Sequence, residues 1–334
     1  MKIDFEHSQA AHCENGVTAG ILRFYGIRIS EPMIFGIGAG LFFSYMPFIR
    51  LHQMPVFSFR PLPGHIFARV TGRLGIRINK RRFQNEDKAM EALDKLLEQG
   101  IPVGNLVGVF YLPYFPKEYR FHFNAHNICV IGKEGDVYTV SDPVVQATCE
   151  LTYDDLKRVR FAKGTFPPQG KMYWVKRIST TSPDLRSAIL SGIRLNCNRM
   201  LDIPLPWFGV KGIHTLAAKM RCWERKLGAK KAALQLAQVI RMLEEIGTGG
   251  AGFRYMYAAF LQEAAGIADQ PAFREAAMEM TRIGDLWRNF AFEAARKFKK
   301  RGDDVCTYDA LADKLVVIAD AEKHFFTRLR ETVK

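Results

Sequence analysis

Three residues that lie far apart in the chain have side chains that could act together on an acyl group. Cys13 stands in His-Cys-Glu-Asn near the N-terminus, His126 in Ala-His-Asn-Ile, and Asp142 in Val-Ser-Asp-Pro. A thiolate is a strong nucleophile toward acyl groups, and an imidazole beside it can take its proton. A carboxylate can then hold that imidazole in the productive tautomer. If the three side chains meet, the protein moves acyl groups through a thioester on Cys13.

The order of these parts is that of a papain-like thiol enzyme. Apolar residues at helical spacing over 15–25 predict a helix that begins close to Cys13. The positive end of that helix would favour the thiolate, and the Cys13 N–H would donate to an oxyanion. Papain-like enzymes commonly place a second donor six residues before the cysteine. His7 stands there in this chain and is the first candidate, with Gln9 as the second.

A β-hairpin should bring His126 and Asp142 together. Residues 126–131 and 136–140 read as strands on either side of a Gly-Lys-Glu-Gly-Asp turn. Asp142 follows the second strand, and neighbouring antiparallel strands could place its side chain beside His126. A single histidine is more often a structural residue. The joint pattern of cysteine, histidine and aspartate nevertheless favours a catalytic site.

Composition limits the classes of protein to which the chain can belong. Its 334 residues are 48% hydrophobic, which allows a buried core and suggests one large or two ordinary domains. The six cysteines form no CxxC pair, so neither a metal site of the zinc type nor a disulfide framework is indicated. No signal peptide is apparent. A reducing cytoplasm is the expected location, and it would keep Cys13 as a free thiol.

The net charge of +14 predicts an acidic partner. No nucleic-acid motif accompanies the charge, so nucleic acid is not the expected partner. An acidic carrier protein is the more specific candidate. Short basic groups such as residues 80–82 are equally typical of a solvated surface. The glycine clusters at 36–40 and 247–252 lack a complete dinucleotide fingerprint and the Lys-Ser/Thr of a P-loop. No nucleotide cofactor is therefore expected.

One stretch, residues 33–49, is almost wholly apolar. A membrane helix needs roughly 20 apolar residues, and this shorter stretch contains three glycines and a proline. It predicts a buried core or a pocket wall, and no membrane span. Its aromatic residues could line an acyl pocket, although core packing is the more frequent role of such residues. The pocket candidates are Phe35, Phe42, Phe43 and Tyr45.

The chain reads as two domains, an α+β domain over 1–180 and an all-α domain over 181–334. The first part mixes strand signals, at 101–111 and 172–178, with an amphipathic helix over 86–99. In the second part Ala, Leu, Lys, Arg and Glu dominate at helical periodicity. The helices predicted there are 183–201, 211–226, 228–246, 250–265, 270–301 and 307–332.

Several short elements, in their order along the chain, resemble those of the butirosin biosynthesis protein H family. The N-terminal domain of that family carries a His-Cys pair, a Ser-Glu, a glycine-rich run bounded by Phe, and then His-Asn and Asp-Pro. The corresponding elements here are His12-Cys13, Ser30-Glu31, residues 35–43, His126-Asn127 and Asp142-Pro143. The helical part resembles the family's C-terminal domain through Glu-Ile-Gly-Thr-Gly-Gly at 245–250 and the Phe-Arg that follows.

The resemblance implies a papain-like N-terminal fold, of the kind found in bacteriocin-processing peptidases, joined to a helical domain. It also implies acyl transfer from an acyl carrier protein thioester to an amine of a small acceptor. Cys13 would be the nucleophile, His126 the base and Asp142 the orienting residue. The phosphopantetheine thioester of the carrier is already activated, so no ATP site or other cofactor is expected. A carrier is acidic, and a basic enzyme would attract it.

Other functions remain open on the sequence alone. A cysteine hydrolase, whether peptidase, amidase or thioesterase, could use the same three residues, because the choice between water and another acceptor depends on how well the site excludes water. A non-catalytic binding module is disfavoured by the intact Cys, His and Asp set. The acceptor could be an amine or a hydroxyl. The helical part could form the acceptor site, a carrier dock or a homodimer interface.

Overall fold

The computed structural model describes residues 2–51, 53–299 and 306–333. The chain divides into two compact units, one of Met1–Ile34 and Pro63–Asp184 and one of Phe35–Leu62 and Leu185–Lys334. The domain boundary predicted at 180 lies close to Asp184, where the chain leaves the first unit for the last time. The sequence placed residues 35–62 in the first domain, whereas the structure places them with the helices of the second unit. An apolar run indicates burial but does not indicate which core it enters.

The described residues contain strands and helices from both units. The strands are β1 (Ser44–Leu51), β2 (Met54–Ser58), β3 (Arg77–Arg81), β4 (Val103–Val107), β5 (His126–Glu134), β6 (Val137–Ser141), β7 (Cys149–Thr152) and β8 (Met172–Arg177). The helices are α1 (Cys13–Phe24), α2 (Glu31–Ile37), α3 (His65–Arg73), α4 (Glu86–Glu98), α5 (Tyr153–Arg160), α6 (Leu185–Leu201), α7 (Gly209–Met220), α8 (Trp223–Leu227), α9 (Ala229–Ile240), α10 (Arg254–Ile267), α11 (Ala272–Lys299) and α12 (Tyr308–Glu331).

The first unit is built on a six-stranded antiparallel sheet in the order β3-β8-β4-β5-β6-β7. Successive side chains of a strand point to opposite faces of a sheet. Ile128 and Val130 of β5 join a core that α4 and α5 complete through residues such as Leu93 and Val159. The side chain of Cys129, between these two positions, points to the opposite face, and α1 packs against β5. The sheet and α1 together give this unit the α+β arrangement that the sequence predicted.

The local sequence explains why these elements form. Asn85 caps α4 by accepting a hydrogen bond from the backbone N–H of Lys88 at 2.8 Å, and Ala89, Leu93 and Leu97 form its buried face. In α1, every residue from Cys13 to Leu22 is buried. A helix that is buried all round needs small residues wherever its neighbours approach closely. Gly16 meets that need, because a Cβ there would lie 2.4 Å from the Cβ of Pro143.

The second unit consists of the β1-β2 hairpin and helices α6 to α12. The side chain of Asn196 on α6 donates a hydrogen bond to the Leu41 carbonyl at 2.8 Å, which holds the apolar stretch against these helices. The predicted helices are confirmed, except that 211–226 divides into α7 and α8, that 228–246 ends in a π-helical turn at Arg241–Glu245, and that the α-helix predicted over 250–265 begins at Arg254. Residues 300 and 301 of the predicted helix 270–301 lie outside the described residues. Across the described ranges, no helix combines the length and the apolar character needed to cross a membrane.

Candidate active site

Cys13 is the first residue of α1, and the residues around it fix that position. His12, just before the helix, has an extended backbone with φ −127° and ψ 124°. The carboxylate of Glu31 accepts hydrogen bonds from the backbone N–H of Ala11 at 2.9 Å and of His12 at 2.8 Å. Cys13 itself is 7% exposed. The first N–H groups of a helix have no acceptor within the helix, so this end of α1 is suited to bind an oxyanion.

His126 and Asp142 are in contact at one end of the sheet. His126 begins β5 and Asp142 directly follows β6, which pairs with β5 in antiparallel register through Cys129 and Ser141. The Nε2 atom of His126 lies 2.7 Å from Oδ2 of Asp142. The side chain of Asp142 is fully buried. The β5-β6 hairpin predicted from the sequence is therefore present, and it brings these two side chains together.

Two further hydrogen bonds hold the carboxylate of Asp142 in place. The hydroxyl of Tyr114 donates to Oδ2 at 2.8 Å, and the backbone N–H of Val144 donates to Oδ1 at 3.1 Å. Burial, reinforced by the charge of Asp142, holds the pKa of Tyr114 well above its usual value, so its hydroxyl remains a donor. The carboxylate can therefore keep the His126 ring in one orientation. Sequence reasoning did not identify Tyr114, because it lies outside the predicted strands and motifs.

The imidazole of His126 connects the carboxylate to the thiol. Its Nε2 faces Asp142, and the side chains of Cys13 and His126 form a hydrogen bond. Burial alone would lower the pKa of His126, but the charges of Asp142 and Cys13 raise it to about 10. An imidazolium that persists above neutral pH stabilises a neighbouring thiolate. Cys13, His126 and Asp142 thus form one connected set that can attack a carbonyl carbon.

Four other thiols lie in surroundings that disfavour the thiolate. Burial raises the pKa of each of them: Cys129, Cys149, Cys197 and Cys306. For Cys197 the pKa rises to about 12, chiefly because of burial. A thiol of this kind is a poor nucleophile at neutral pH. No group of three or more His, Cys, Asp or Glu side chains within 2–51, 53–299 and 306–333 is arranged to hold a metal ion.

The contacts described for the two residues considered as oxyanion donors, His7 and Gln9, do not include Cys13. In the ring of His7, Nδ1 lies 2.8 Å from Oγ of Ser141, and Nε2 lies 3.1 Å from the carbonyl oxygen of Val145. Both ring nitrogens are therefore directed toward the chain on either side of Asp142. Gln9 is exposed, and none of the contacts described for this unit joins it to Cys13. The contacts of His7 tie the N-terminal segment to the residues that flank Asp142.

The four aromatic residues considered as an acyl pocket are buried in the second unit. Each packs on an aromatic partner in that unit: Phe35 on Phe253, Phe42 on Phe208, Phe43 on Phe59, and Tyr45 on Phe57. Core packing, the other role considered for them, accounts for these contacts. A role in binding an acyl chain stays a prediction.

Asn127 is a second residue that sequence reasoning missed. Its Nδ2 lies 3.9 Å from the Sγ of Cys13, and its side chain is buried. Its one signal in the sequence is its place directly after His126 in the His-Asn element. That signal carries no chemical role by itself, because the direction of the amide depends on residues elsewhere in the sheet.

Comparison with known proteins gives two family matches. The family described as butirosin biosynthesis protein H, N-terminal, matches residues 12–143, a range that contains Cys13, His126 and Asp142. The family described as a domain of unknown function, DUF4872, matches residues 154–329 and so covers more than half of the chain. No curated protein matches the chain.

Among solved structures, one match is the crystal structure of a C39-like peptidase from Bacillus anthracis. It is 13% identical, covers 54% of this chain and 100% of its own, and has a TM-score of 0.38. The two family matches together span almost the whole chain. The chain belongs to the DUF4872 family, and its N-terminal part matches the butirosin biosynthesis protein H N-terminal family.

Proposed function

We propose that this protein is an acyltransferase of specialised-metabolite biosynthesis. It would take an acyl group from an acyl carrier protein thioester and pass it to an amine or a hydroxyl of a small acceptor. The observation that supports this best is the connected set at the start of α1, in which Cys13 contacts His126 and Nε2 of His126 lies 2.7 Å from Asp142. Butirosin biosynthesis, in the name of the matched family, supports the type of pathway.

In the first half of the reaction, the Cys13 thiolate attacks the carbonyl carbon of the carrier thioester. A new C–S bond forms and the carbonyl electron pair moves onto oxygen. When the tetrahedral intermediate collapses, the bond to the phosphopantetheine sulfur breaks, and the His126 imidazolium gives that sulfur its proton. The acyl group is then held on Cys13 as a thioester. Because the donor is itself a thioester, the exchange needs no ATP.

In the second half, an acceptor amine attacks the Cys13 thioester while neutral His126 takes its proton. The C–S bond to Cys13 breaks, an amide forms, and the thiolate is restored beside the imidazolium. Asp142 keeps the ring in the orientation that both halves require. Water in place of the amine would give a free acid, so the hydrolase alternative differs only in the second nucleophile.

The charge of the protein supports a carrier as the donor. A net charge of +14 would steer an acidic protein toward it, an effect that weakens as salt is added. We place the reaction in the cytoplasm, where thiols remain reduced. The helical domain is proposed to supply the acceptor site, a carrier dock or a homodimer interface.

The test is intact-mass analysis of the protein after incubation with a panel of acyl carrier thioesters. We expect wild-type protein to gain the mass of one acyl group, Cys13→Ala to gain none, and the matched control Cys129→Ala to behave as wild type. Addition of amines should then discharge the adduct with formation of the acyl amide. Discharge at a rate independent of amine, with release of free acid, would identify a hydrolase. Absence of an adduct with every thioester would contradict both activities.

A further inference from the structure

Asn127 places a side-chain amide directly beside the sulfur of Cys13. Its Nδ2 lies 3.9 Å from Sγ and donates toward it, and both side chains belong to the first unit. At this distance the contact with the sulfur in the resting enzyme is weak. A donor that binds the resting state weakly can bind more strongly to charge that appears in the transition state. The position therefore suits a group that acts during the reaction.

The orientation of the amide is determined by its other contacts. The hydroxyl of Tyr173 donates to Oδ1 at 2.9 Å, and Nδ2 donates to the Ala125 carbonyl at 3.5 Å. A reversed amide would place Oδ1 against the Ala125 carbonyl and against a thiolate, which are both electron-rich. Burial holds the pKa of Tyr173 well above its usual value, so its hydroxyl remains a donor. The N–H groups of Asn127 therefore face Cys13.

The sheet itself holds Tyr173 in place. Its ring lies over Gly104 on the neighbouring strand, where an added Cβ would come within 2.2 Å of the ring. On its other side it packs against Phe67 of α3, with ring centroids 4.5 Å apart. Tyr173 is 2% exposed. A residue fixed in this way can keep the amide of Asn127 directed at Cys13 through every step of the reaction.

We propose that Nδ2 of Asn127 is the second donor of the oxyanion hole, together with the backbone N–H of Cys13. The assignment rests on the proposed acyl chemistry. When the thiolate bonds to a carbonyl carbon, the oxygen on that carbon comes within reach of a donor that already contacts the sulfur. Asn127 is then a catalytic residue, and Tyr173 is a positioning residue that acts through it. His7, the donor considered from the sequence, is occupied by Ser141 and Val145.

The test compares two reactions of the same thiol. In the attack on p-nitrophenyl acetate, the acetyl C–O bond breaks, p-nitrophenolate leaves and a tetrahedral oxyanion forms on the way. In alkylation by iodoacetamide, a C–S bond forms, iodide leaves and no oxyanion arises. We expect Asn127→Ala to slow acetylation by about 10²- to 10³-fold and to leave the rate and pH profile of alkylation close to wild type. Tyr173→Phe, which keeps the ring, should slow acetylation by about 3- to 10-fold.

A matched control is available in Asn105, another fully buried asparagine of the same sheet. Its Nδ2 donates to the Val103 carbonyl at 2.9 Å. Asn105 pairs with Ile128, the neighbour of Asn127, so its side chain lies on the other face of the sheet. Asn105→Ala should leave the ratio of the two rates unchanged even if it lowers stability. If Asn127→Ala does not fold, the ratio of acetylation to alkylation in Tyr173→Phe tests the assignment of Asn127 instead.

The assignment would be overturned if the ratio of acetylation to alkylation stayed within about 3-fold of wild type in Asn127→Ala, which is no more than an ordinary hydrogen bond contributes. Equal loss of both rates would also overturn it, because Asn127 would then act on the thiolate. The p-nitrophenyl ester requires no carrier. Failure of carrier thioesters to acylate wild-type protein would therefore count against the proposed function, while the ratio would still test Asn127.

Discussion

The Oδ2 atom of Asp142 lies 2.7 Å from Nε2 of His126, the residue whose side chain also forms a hydrogen bond with Cys13. The residues are 16 positions apart in the chain, and the β5-β6 pairing closes that distance. Because the hydroxyl of Tyr114 donates to the same carboxylate oxygen, the side chain of Asp142 cannot rotate freely. The orientation and the charge of the His126 ring therefore depend on this contact with Asp142.

Removal of the Asp142 charge should lower the pKa of His126. Burial lowers the pKa of His126, but the charge of Asp142 and then that of Cys13 outweigh burial and raise this pKa to about 10. In wild type, the ring should be protonated at neutral pH and lose its proton only as the pH rises toward 10. Asp142→Asn should shift that titration to lower pH, and Cys13→Ala should shift it in the same direction by less.

The titration can be followed by NMR of the His126 ring, assigned from its absence in the spectrum of His126→Gln. The acylation rate of Asp142→Asn should also fall by about 10²- to 10⁴-fold, because the ring is no longer held as a base. An unchanged His126 titration in Asp142→Asn would show that the carboxylate does not set the charge of the ring.

His7 should act on stability rather than on acylation. Its ring joins the N-terminal segment to Ser141 and Val145, at 2.8 and 3.1 Å. Loss of these hydrogen bonds in His7→Ala should lower the free energy of unfolding by about 1–3 kcal/mol, measured by urea denaturation. Gln9→Ala, at an exposed position, should change it by less than about 0.5 kcal/mol. A 100-fold loss of acylation in His7→Ala, with alkylation unaffected, would instead restore His7 as an oxyanion donor.

Gly16 should be required for the placement of Asp142. A Cβ at this position of α1 would lie 2.4 Å from the Cβ of Pro143 and 2.7 Å from that of Ala10. Gly16→Ala must therefore move the chain next to Asp142 or distort α1. We expect a destabilisation of about 1–3 kcal/mol and slower acylation.

The matched control for this change is Gly72→Ala in α3. A Cβ there would meet nothing within 4 Å, so the helix should gain stability of about 1 kcal/mol. Thermal melts and acylation rates of the two variants provide the comparison. Equal behaviour of the two variants would show that Gly16 has no special role beside Pro143.

The sequence predicted local structure well because periodicity reports on it directly. The apolar spacing after Cys13 indicated α1, and the two short strands around Gly-Lys-Glu-Gly-Asp indicated the hairpin that carries His126 and Asp142. Both predictions depend on neighbours in the chain. The membership of residues 35–62 in the second unit could not be read in this way, because it depends on partners such as Asn196, 155 positions from Leu41.

The remaining parts of the site depend on single side-chain contacts between distant residues. His7 meets Ser141 across 134 positions, and the amide of Asn127 is directed by Tyr173, 46 positions later. The spacing from Cys13 suggested His7 as a donor, but spacing does not show which residues form hydrogen bonds with the two ring nitrogens. Pairs of this kind leave no periodic signal in one sequence.

The most direct measurement of the central claim is peptide mapping of the protein quenched during reaction with an acyl carrier thioester. The account predicts that the acyl group is bound as a thioester to the peptide that contains Cys13. It also predicts that the peptides with the buried Cys129 and Cys197 remain unmodified. An acyl group on another residue, or turnover of the thioester without an adduct at Cys13 and undiminished in Cys13→Ala, would contradict the account.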